Sequence, residues 1–166
     1  MTSAASADFT ALRVRPATAA DQPRLIALVN SAFAVETFLE GTRTDTERMA
    51  AMMAKGVIVV AEDGSGELLA SVYFEVRGQR GYMGMLAVDP ACQGKGLASL
   101  MVRTAEDRMR RLGCEAVDIS VLSLRPELLP IYRRFGFAET GTEEFRYGRT
   151  FREEVECHCI VMSKLL

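Results

Sequence analysis

The sequence predicts one domain of the α/β (α+β) class, a mixed, mostly antiparallel twisted sheet with helices on both faces and one central βαβ crossover. Three observations carry this expectation. Segments 57–62, 68–76 and 82–89 are rich in apolar and β-branched residues, and short glycine-bearing connections join them, as in an antiparallel meander. Positions 97, 100, 101, 105, 109 and 112 then hold apolar residues at the 3.6-residue period of an amphipathic helix. A strand over 117–122 follows at once, so that helix returns the chain parallel to the strand it left.

Taken in order, Leu12-Arg13-Val14-Arg15 alternates like a half-buried strand and stops at Pro16. Thr18 or Asp21 then caps a helix that places Leu25, Leu28, Val29, Ala32 and Phe33 on one face. Residues 36–43 show no period and read as a loop. Thr44-Asp45-Thr46-Glu47 reads as a capping box that opens a second helix, with Met49, Met52 and Met53 inward and Gly56 as its stop. Asp63-Gly64-Ser65-Gly66 and Arg77-Gly78-Gln79-Arg80-Gly81 are the expected hairpin connections. After the long helix, ended by Gly113, come a short helix over 126–135 and strands near 137–145 and 153–163. Small polar residues 1–10 are expected to be a flexible tail before a single domain at 11–166.

Composition narrows the function. At 166 residues, with 49% hydrophobic and 25% charged residues, the chain has the makeup of a folded globule. A formal charge of −2 gives no footprint for nucleic acid, and Arg108, Arg110 and Arg111 spread around a helix as a solvated face. No stretch is apolar enough to span a membrane, and Met1 to Asp8 lacks the basic and apolar regions of a signal peptide, so a cytoplasmic protein is expected. Cysteines 92, 114, 157 and 159 read as reduced thiols. Cys157-His158-Cys159 lies in a strand pattern, with both thiols on one face and the chain's lone histidine on the other, so no metal site is expected.

The stretch that carries chemistry runs from Met83 to Ser99. A strand ends at Pro90, and a loop with Gly94 and Gly96 feeds a long helix. Glycines permit a tight turn there, and the helix N-terminus offers unpaired N–H donors to a phosphate, with Lys95 adding a charge. An unliganded turn remains the alternative. Gly94-x-Gly96-x-x-Ser99 approaches the dinucleotide fingerprint, but its third position is Ser and only one βαβ unit is present. A P-loop fails because Gly96, rather than Ser or Thr, follows Lys95.

Gln93-Gly94-Lys95-Gly96-Leu97-Ala98 resembles the Arg/Gln-x-x-Gly-x-Gly/Ala signature of GCN5-related N-acetyltransferases (GNAT). Residues 12–18 with Asp21 resemble that family's opening strand and helix start, and Leu86-Ala87-Val88-Asp89-Pro90 its fourth strand. Ile131 to Phe137 resembles its Tyr-x-x-x-Gly-Phe segment, and Ile160 to Lys164 its last strand. The resemblance implies an acetyl-coenzyme A-dependent enzyme whose fourth and fifth strands splay around the co-substrate. Leu86, Ala87 and Val88 would meet the pantetheine arm. Gln93, Gly94, Lys95, Gly96, Leu97, Ala98 and Ser99 would hold the pyrophosphate.

The reaction so implied is direct attack of a primary amine on the thioester, without an acyl-enzyme, and a small-molecule acceptor is favoured over a protein. Tyr132 falls where the family places its general acid; core packing with Leu128 and Phe135 is the alternative reading. Candidate bases are Glu75, Glu36 and Glu40, any of which burial could tune upward, and otherwise they are solvated carboxylates. Tyr132 and Glu75 are the expected catalytic residues, and Tyr82 is a candidate wall of the acceptor pocket. Where the family commonly has an Asn that contacts the co-substrate, this chain has Arg125. Pairing through terminal strands would make a homodimer, with Phe145, Tyr147 and Phe151 as candidate contacts. A non-catalytic acyl-coenzyme A-binding or sensing module and a nucleotide-binding protein are the competing readings.

Overall fold

The structure is a computed structural model of the 166-residue chain, and it describes residues 9–146 and 149–166. The strands are β1 (Arg13–Pro16), β2 (Val57–Glu62), β3 (Leu68–Arg77), β4 (Arg80–Val88), β5 (Ala116–Leu122), β6 (Ala138–Glu144) and β7 (His158–Leu165). The helices are α1 (Gln22–Ala32), α2 (Thr46–Lys55), α3 (Leu97–Arg111) and α4 (Leu128–Arg134). The strands form one seven-stranded sheet in the order β1-β2-β3-β4-β5-β7-β6. Only β4 and β5 pair in parallel, through the α3 crossover, and every other neighbour is antiparallel.

Both faces of the central strands are buried, because Val59 and Val60 alternate between two apolar layers. On one side Leu25, Leu28 and Val29 of α1 and Met49 of α2 cover Ile58, Val60 and Tyr73. On the other, Leu97, Met101, Ala105 and Met109 of α3 cover Val59, Val72, Phe74, Met83 and Val117. Each such aliphatic side chain contributes about 1.5–3 kcal/mol of burial. Gly81 eases the second contact: a Cβ there would run into the Met109 thioether, which would have to move aside.

Ion pairs tie these layers at their edges. Arg15 donates to Asp21 Oδ2 at 2.7 Å and to Glu62 Oε2 at 3.0 Å, joining β1, the start of α1 and β2. Lys164 on β7 donates to Glu106 Oε1 of α3 at 3.0 Å and to the Phe135 carbonyl at 2.8 Å.

Several boundaries differ from expectation. The β3–β4 connection is a two-residue turn at Gly78 and Gln79, because Arg77 and Arg80 already pair. Asp45, not Thr44, caps α2 by accepting the Arg48 amide at 2.8 Å. Leu112 falls past the last turn of α3 and is 60% exposed. β7 begins at His158 rather than near 153, since the charged segment before it has no strand to pair with and β6 reaches only Glu144. Phe9 is not loose: Phe9–Ala11 form a turn of 3-10 helix and Phe9 packs on the α3-side core. Residues 1–8 of the expected tail lie outside the described residues.

Candidate active site

The site follows from where β4 and β5 stop pairing. They pair only at Arg80–Ala116, Gly81–Val117 and Tyr82–Asp118, although both strands continue. β4 stays on β3 as far as Val88–Ala70, and β5 stays on β7 as far as Leu122–Cys159. The sheet therefore opens into a wedge beyond Tyr82. A bulge sharpens the divergence: the β3–β4 register shifts between Ser71 and Tyr73, where Met85 takes φ +49°, the one positive φ among described non-glycine residues.

Backbone alternation identifies the free edge. Asp89 donates its amide to the Leu69 carbonyl at 2.8 Å, toward β3. The amides of Val88 and Leu86, two-fold related along the strand, consequently point to the opposite edge and into the wedge, while Ala87 faces β3.

At the mouth of the wedge, Asp89 caps a 3-10 turn over Pro90–Cys92 by accepting the Ala91 amide at 2.8 Å. Gly94 and Gly96 follow in left-handed backbone, at φ +76° and +83°, and a Cβ built on either would meet nothing within 4 Å. The first amide of this stretch to find a backbone acceptor is that of Leu100, which donates to Gly96 at 3.1 Å. Among the described residues, no hydrogen bond occupies the amides from Gln93 to Ser99. An open cradle of N–H donors at a helix start, beside the Lys95 ammonium, fits a pyrophosphate. The donor set thus suits the co-substrate that the resemblance implies.

Tyr132 enters the wedge from α4. Its ring packs edge-on against Phe135 at 6.2 Å and Phe137 at 5.9 Å, and its hydroxyl makes no hydrogen bond among the described residues. The ring packs on the core, and Tyr132 also lines a cleft with Tyr82, Met85, Leu86, Ser120 and Arg125. Burial, reinforced by Tyr82, pushes the Tyr132 pKa up to about 12 against the opposing charges of Arg125 and Arg43.

A family model, that of the Acetyltransferase (GNAT) family, matches residues 24–137. The chain belongs to the GNAT acetyltransferase family. Glucosamine 6-phosphate N-acetyltransferase 1 of Oryza sativa subsp. japonica is 30% identical over 150 residues, which cover 84% of this chain and 89% of that protein. A mycothiol acetyltransferase of Propionibacterium freudenreichii subsp. shermanii is 31% identical over 90 residues, 52% of this chain but 29% of the relative. The ribosomal-protein-S18-alanine N-acetyltransferase of Escherichia coli shares the fold, with a TM-score of 0.73 at 16% identity and 93% of each chain covered. A GNAT structure from Kribbella flavida superposes with a TM-score of 0.71 at 19% identity, over 95% of this chain and 99% of the other.

In this GNAT enzyme the expected bases part company. Glu75 is buried and lines a cleft of about 560 Å³ on the far side of the splayed strands from α3. Its carboxylate is already engaged: it accepts from the Tyr73 hydroxyl at 2.5 Å and from Arg77, with Lys55 Nζ 3.5 Å away. Burial works to raise its pKa, but these hydrogen bonds and charges outweigh burial and hold the carboxyl below the usual carboxylate range. The expectation of upward tuning at Glu75 is therefore corrected. Gly56 supports this arrangement, since a Cβ there would stand 2.7 Å from the Tyr73 hydroxyl and 2.5 Å from the Phe74 carbonyl. Glu40 is exposed, bonds Thr150 at 2.6 Å and lines neither cleft.

The Glu36 side chain is 3% exposed and lines the same cleft as Tyr132, as a counter-ion for three arginines. Arg43 Nη1 lies 3.0 Å from it, Arg125 Nη1 3.2 Å and Arg149 Nη1 3.7 Å. Arg125 thus replaces the family's usual Asn by a side chain committed to Glu36 and, at 2.6 Å, to Glu127. Tyr82 lines both clefts, as its candidate role requires, under the Arg77 guanidinium at 4.3 Å from its ring centre.

The sequence reading missed the arginines of this site. Arg43, Arg48 and Arg149 lie in two segments that no spacing rule connects, and only the seating of the β6–β7 connection beside the α1–α2 loop, bridged at Leu39 and Phe151, gathers them. Phe145 and Phe151, named as dimer contacts, pack against each other with ring centres 5.1 Å apart and planes tilted by 42°, and they share a cluster with Leu39 within the chain; Tyr147 lies outside the described residues. Cys157 and Cys159 share one apolar cluster while His158 is exposed, and burial pushes the Cys92 and Cys114 thiols up. Asp118 on β5 pairs with Arg80 on β4 at 2.6 Å.

Proposed function

We propose that this chain transfers an acetyl group from acetyl-coenzyme A to the primary amine of a small molecule by direct attack on the thioester, with Tyr132 assisting the leaving thiol. The observation that carries the reading is the unpartnered Tyr132 phenol facing the unpaired β4 edge across the wedge. Acetyl-coenzyme A supplies the activated acyl carbon.

The chain's own groups supply position, charge complement and a proton. The open amides from Gln93 to Ser99 and Lys95 hold the pyrophosphate; the wedge-facing backbone of Leu86 and Val88 pairs with the amide-bearing arm. Held between two strands, the arm brings the acyl group to the cleft where the second cleft opens, which replaces a bimolecular encounter by proximity. As the new C–N bond forms and the C–S bond breaks, the Tyr132 Oη–H donates to the sulfur, where charge builds. With a phenol pKa near 12 and a free thiol near 8.5, the bond is a strong donated hydrogen bond, and proton delivery completes as solvent returns. The amine attacks in its neutral form, and the proton released from nitrogen passes to water in the open polar cleft, since Glu75 is already engaged by Arg77, Lys55 and Tyr73. The relatives named for glucosamine 6-phosphate and mycothiol support a small-molecule acceptor. Four free cysteines, three of them buried, suit a reducing, cytoplasmic setting.

The test is thiol release from acetyl-coenzyme A across a panel of amines. Amine-dependent release that Tyr132→Phe strongly reduces, with coenzyme binding intact, supports the assignment. Tight coenzyme binding without turnover on any amine favours a sensing module instead.

A further inference from the structure

Four carboxylates line the two clefts, and three of them are committed to cations. Glu75 holds Arg77 and Lys55, Glu144 holds Arg146 at 2.7 Å, and Glu36 holds Arg43 and Arg125. A carboxylate in an ion pair is a poor proton acceptor, because protonation forfeits the pair. Glu143 differs from the other three: it makes no ion pair among the described residues. Its partner is a neutral donor, the Ser120 hydroxyl, which donates to Glu143 Oε1 at 2.5 Å. That bond orients the carboxylate and leaves its charge uncompensated. To make it, Glu143 on β6 spans the intervening strand β7 and meets a β5 residue 23 positions earlier in the chain. Ser120 is placed for chemistry. It stands two residues past Asp118, the last β5 position paired with β4, and so lies where the wedge begins. It lines both the cleft of about 560 Å³ and the cleft that holds Tyr132. Glu143 is exposed on the larger cleft, so a proton taken up there has a path to solvent.

Resting on the acetyltransferase reading, we propose that Glu143, oriented by Ser120, is the proton acceptor of the reaction. As the C–N bond forms, the attacking nitrogen becomes cationic and gives one proton to a water in the cleft. That water passes a proton to the Glu143 carboxylate, which returns it to bulk solvent. The electron pair of the breaking C–S bond leaves with sulfur, which takes a proton by way of Tyr132, and the phenol recovers its own from solvent. One proton thus leaves nitrogen and one arrives at sulfur. Ser120 is a positioning residue, since it acts on the proton only through Glu143. The role falls to a strand at the edge of the sheet because the carboxylates nearer the middle are held by cations.

The experiment follows thiol release from acetyl-coenzyme A with glucosamine 6-phosphate, ethanolamine, phenylethylamine and glycinamide, and carries the fastest acceptor through the variants. Glu143→Gln should lower kcat by about 100-fold, the low end for loss of a general base, and leave the KM for acetyl-coenzyme A within about twofold. Ser120→Ala should cost about 5-fold in kcat, the worth of one hydrogen bond. Because Glu143 is exposed, neither change should move the unfolding temperature by more than about 2 °C, which separates a kinetic loss from a folding defect. Added formate supplies the decisive readout. In Glu143→Ala, which leaves room for a small carboxylate, the rate at fixed pH should rise linearly with formate concentration; in Glu143→Gln, where the amide fills the place, and in the wild type it should not. A kcat in Glu143→Gln within about threefold of the wild type overturns the proposal while acetyl transfer stands. A fall in kcat that formate does not restore in Glu143→Ala overturns it too, since the role is then structural. No turnover of the wild type on any of the four amines sinks the acetyltransferase reading, and this proposal with it.

Discussion

Glu36 Oε2 and Arg125 Nη1 lie 3.2 Å apart in the cleft that Tyr132 lines, although 89 positions separate them in the chain. The pair fastens the α1–α2 loop to the turn between β5 and α4. Glu36 also takes Arg43 and approaches Arg149, which makes it the neutralising centre of three guanidiniums.

Removing that centre leaves buried positive charge without a partner. Glu36→Gln should lose about 3 kcal/mol of stability, a fall of about 6–12 °C in the unfolding midpoint for a chain of this size. Differential scanning calorimetry at low ionic strength measures it.

Tyr132→Phe keeps the ring that packs on Phe135 and Phe137 and deletes only the unpartnered hydroxyl. Stability should change by less than about 1 kcal/mol, while kcat falls by about 100-fold or more and the Kd for acetyl-coenzyme A holds. Because the phenol's pKa is raised to about 12, its protonated form persists through the working range. The wild-type kcat should therefore show no alkaline fall from this group below about pH 11; a tyrosine-dependent fall nearer pH 9 would refute the buried phenol.

Gly96 opens the cradle at φ +83°, a region that costs an L-residue about 1–2 kcal/mol, though a Cβ there touches nothing. Gly96→Val should thus destabilise the free protein modestly and weaken coenzyme A binding by more than about 10-fold, since the branched side chain fills the approach of a phosphate. Isothermal titration separates the two effects.

Asp21 is held well below the usual carboxylate range, first by the hydrogen bond from Arg15 and then by Thr18 and Arg24, against the opposing effect of burial. A depressed folded-state pKa stabilises above the unfolded value of about 3.8 and is lost as pH falls through the folded one. Urea unfolding midpoints should drop steeply below about pH 4. Asp21→Asn should be less stable at pH 7 and show a flatter dependence over that acid range.

Much of the fold was legible because its signals are local. The runs at β2 and β3, the helical period of α3 and the glycine turns are each read within about ten residues. The same holds for Gly94 and Gly96: their left-handed backbone and bare amides follow from a strand, a proline, two glycines and a helix in sequence. Glu75 was legible as an acidic side chain near a strand end, but its downward pKa was not, because Lys55 and Tyr73 reach it from α2 and along β3 through packing.

By itself the sequence determined the class of sheet, the crossover, the glycine turn that leads into α3 and the place of Tyr132 on α4, since each depends on neighbours along the chain. The tertiary structure alone decided where β4 and β5 part, which carboxylates are masked and which cations converge. Arg43, Arg125 and Arg149 meet at Glu36 only when two loops and a strand turn close around it, and electrostatics over 3–4 Å depends on distance in space, which a linear spacing does not encode.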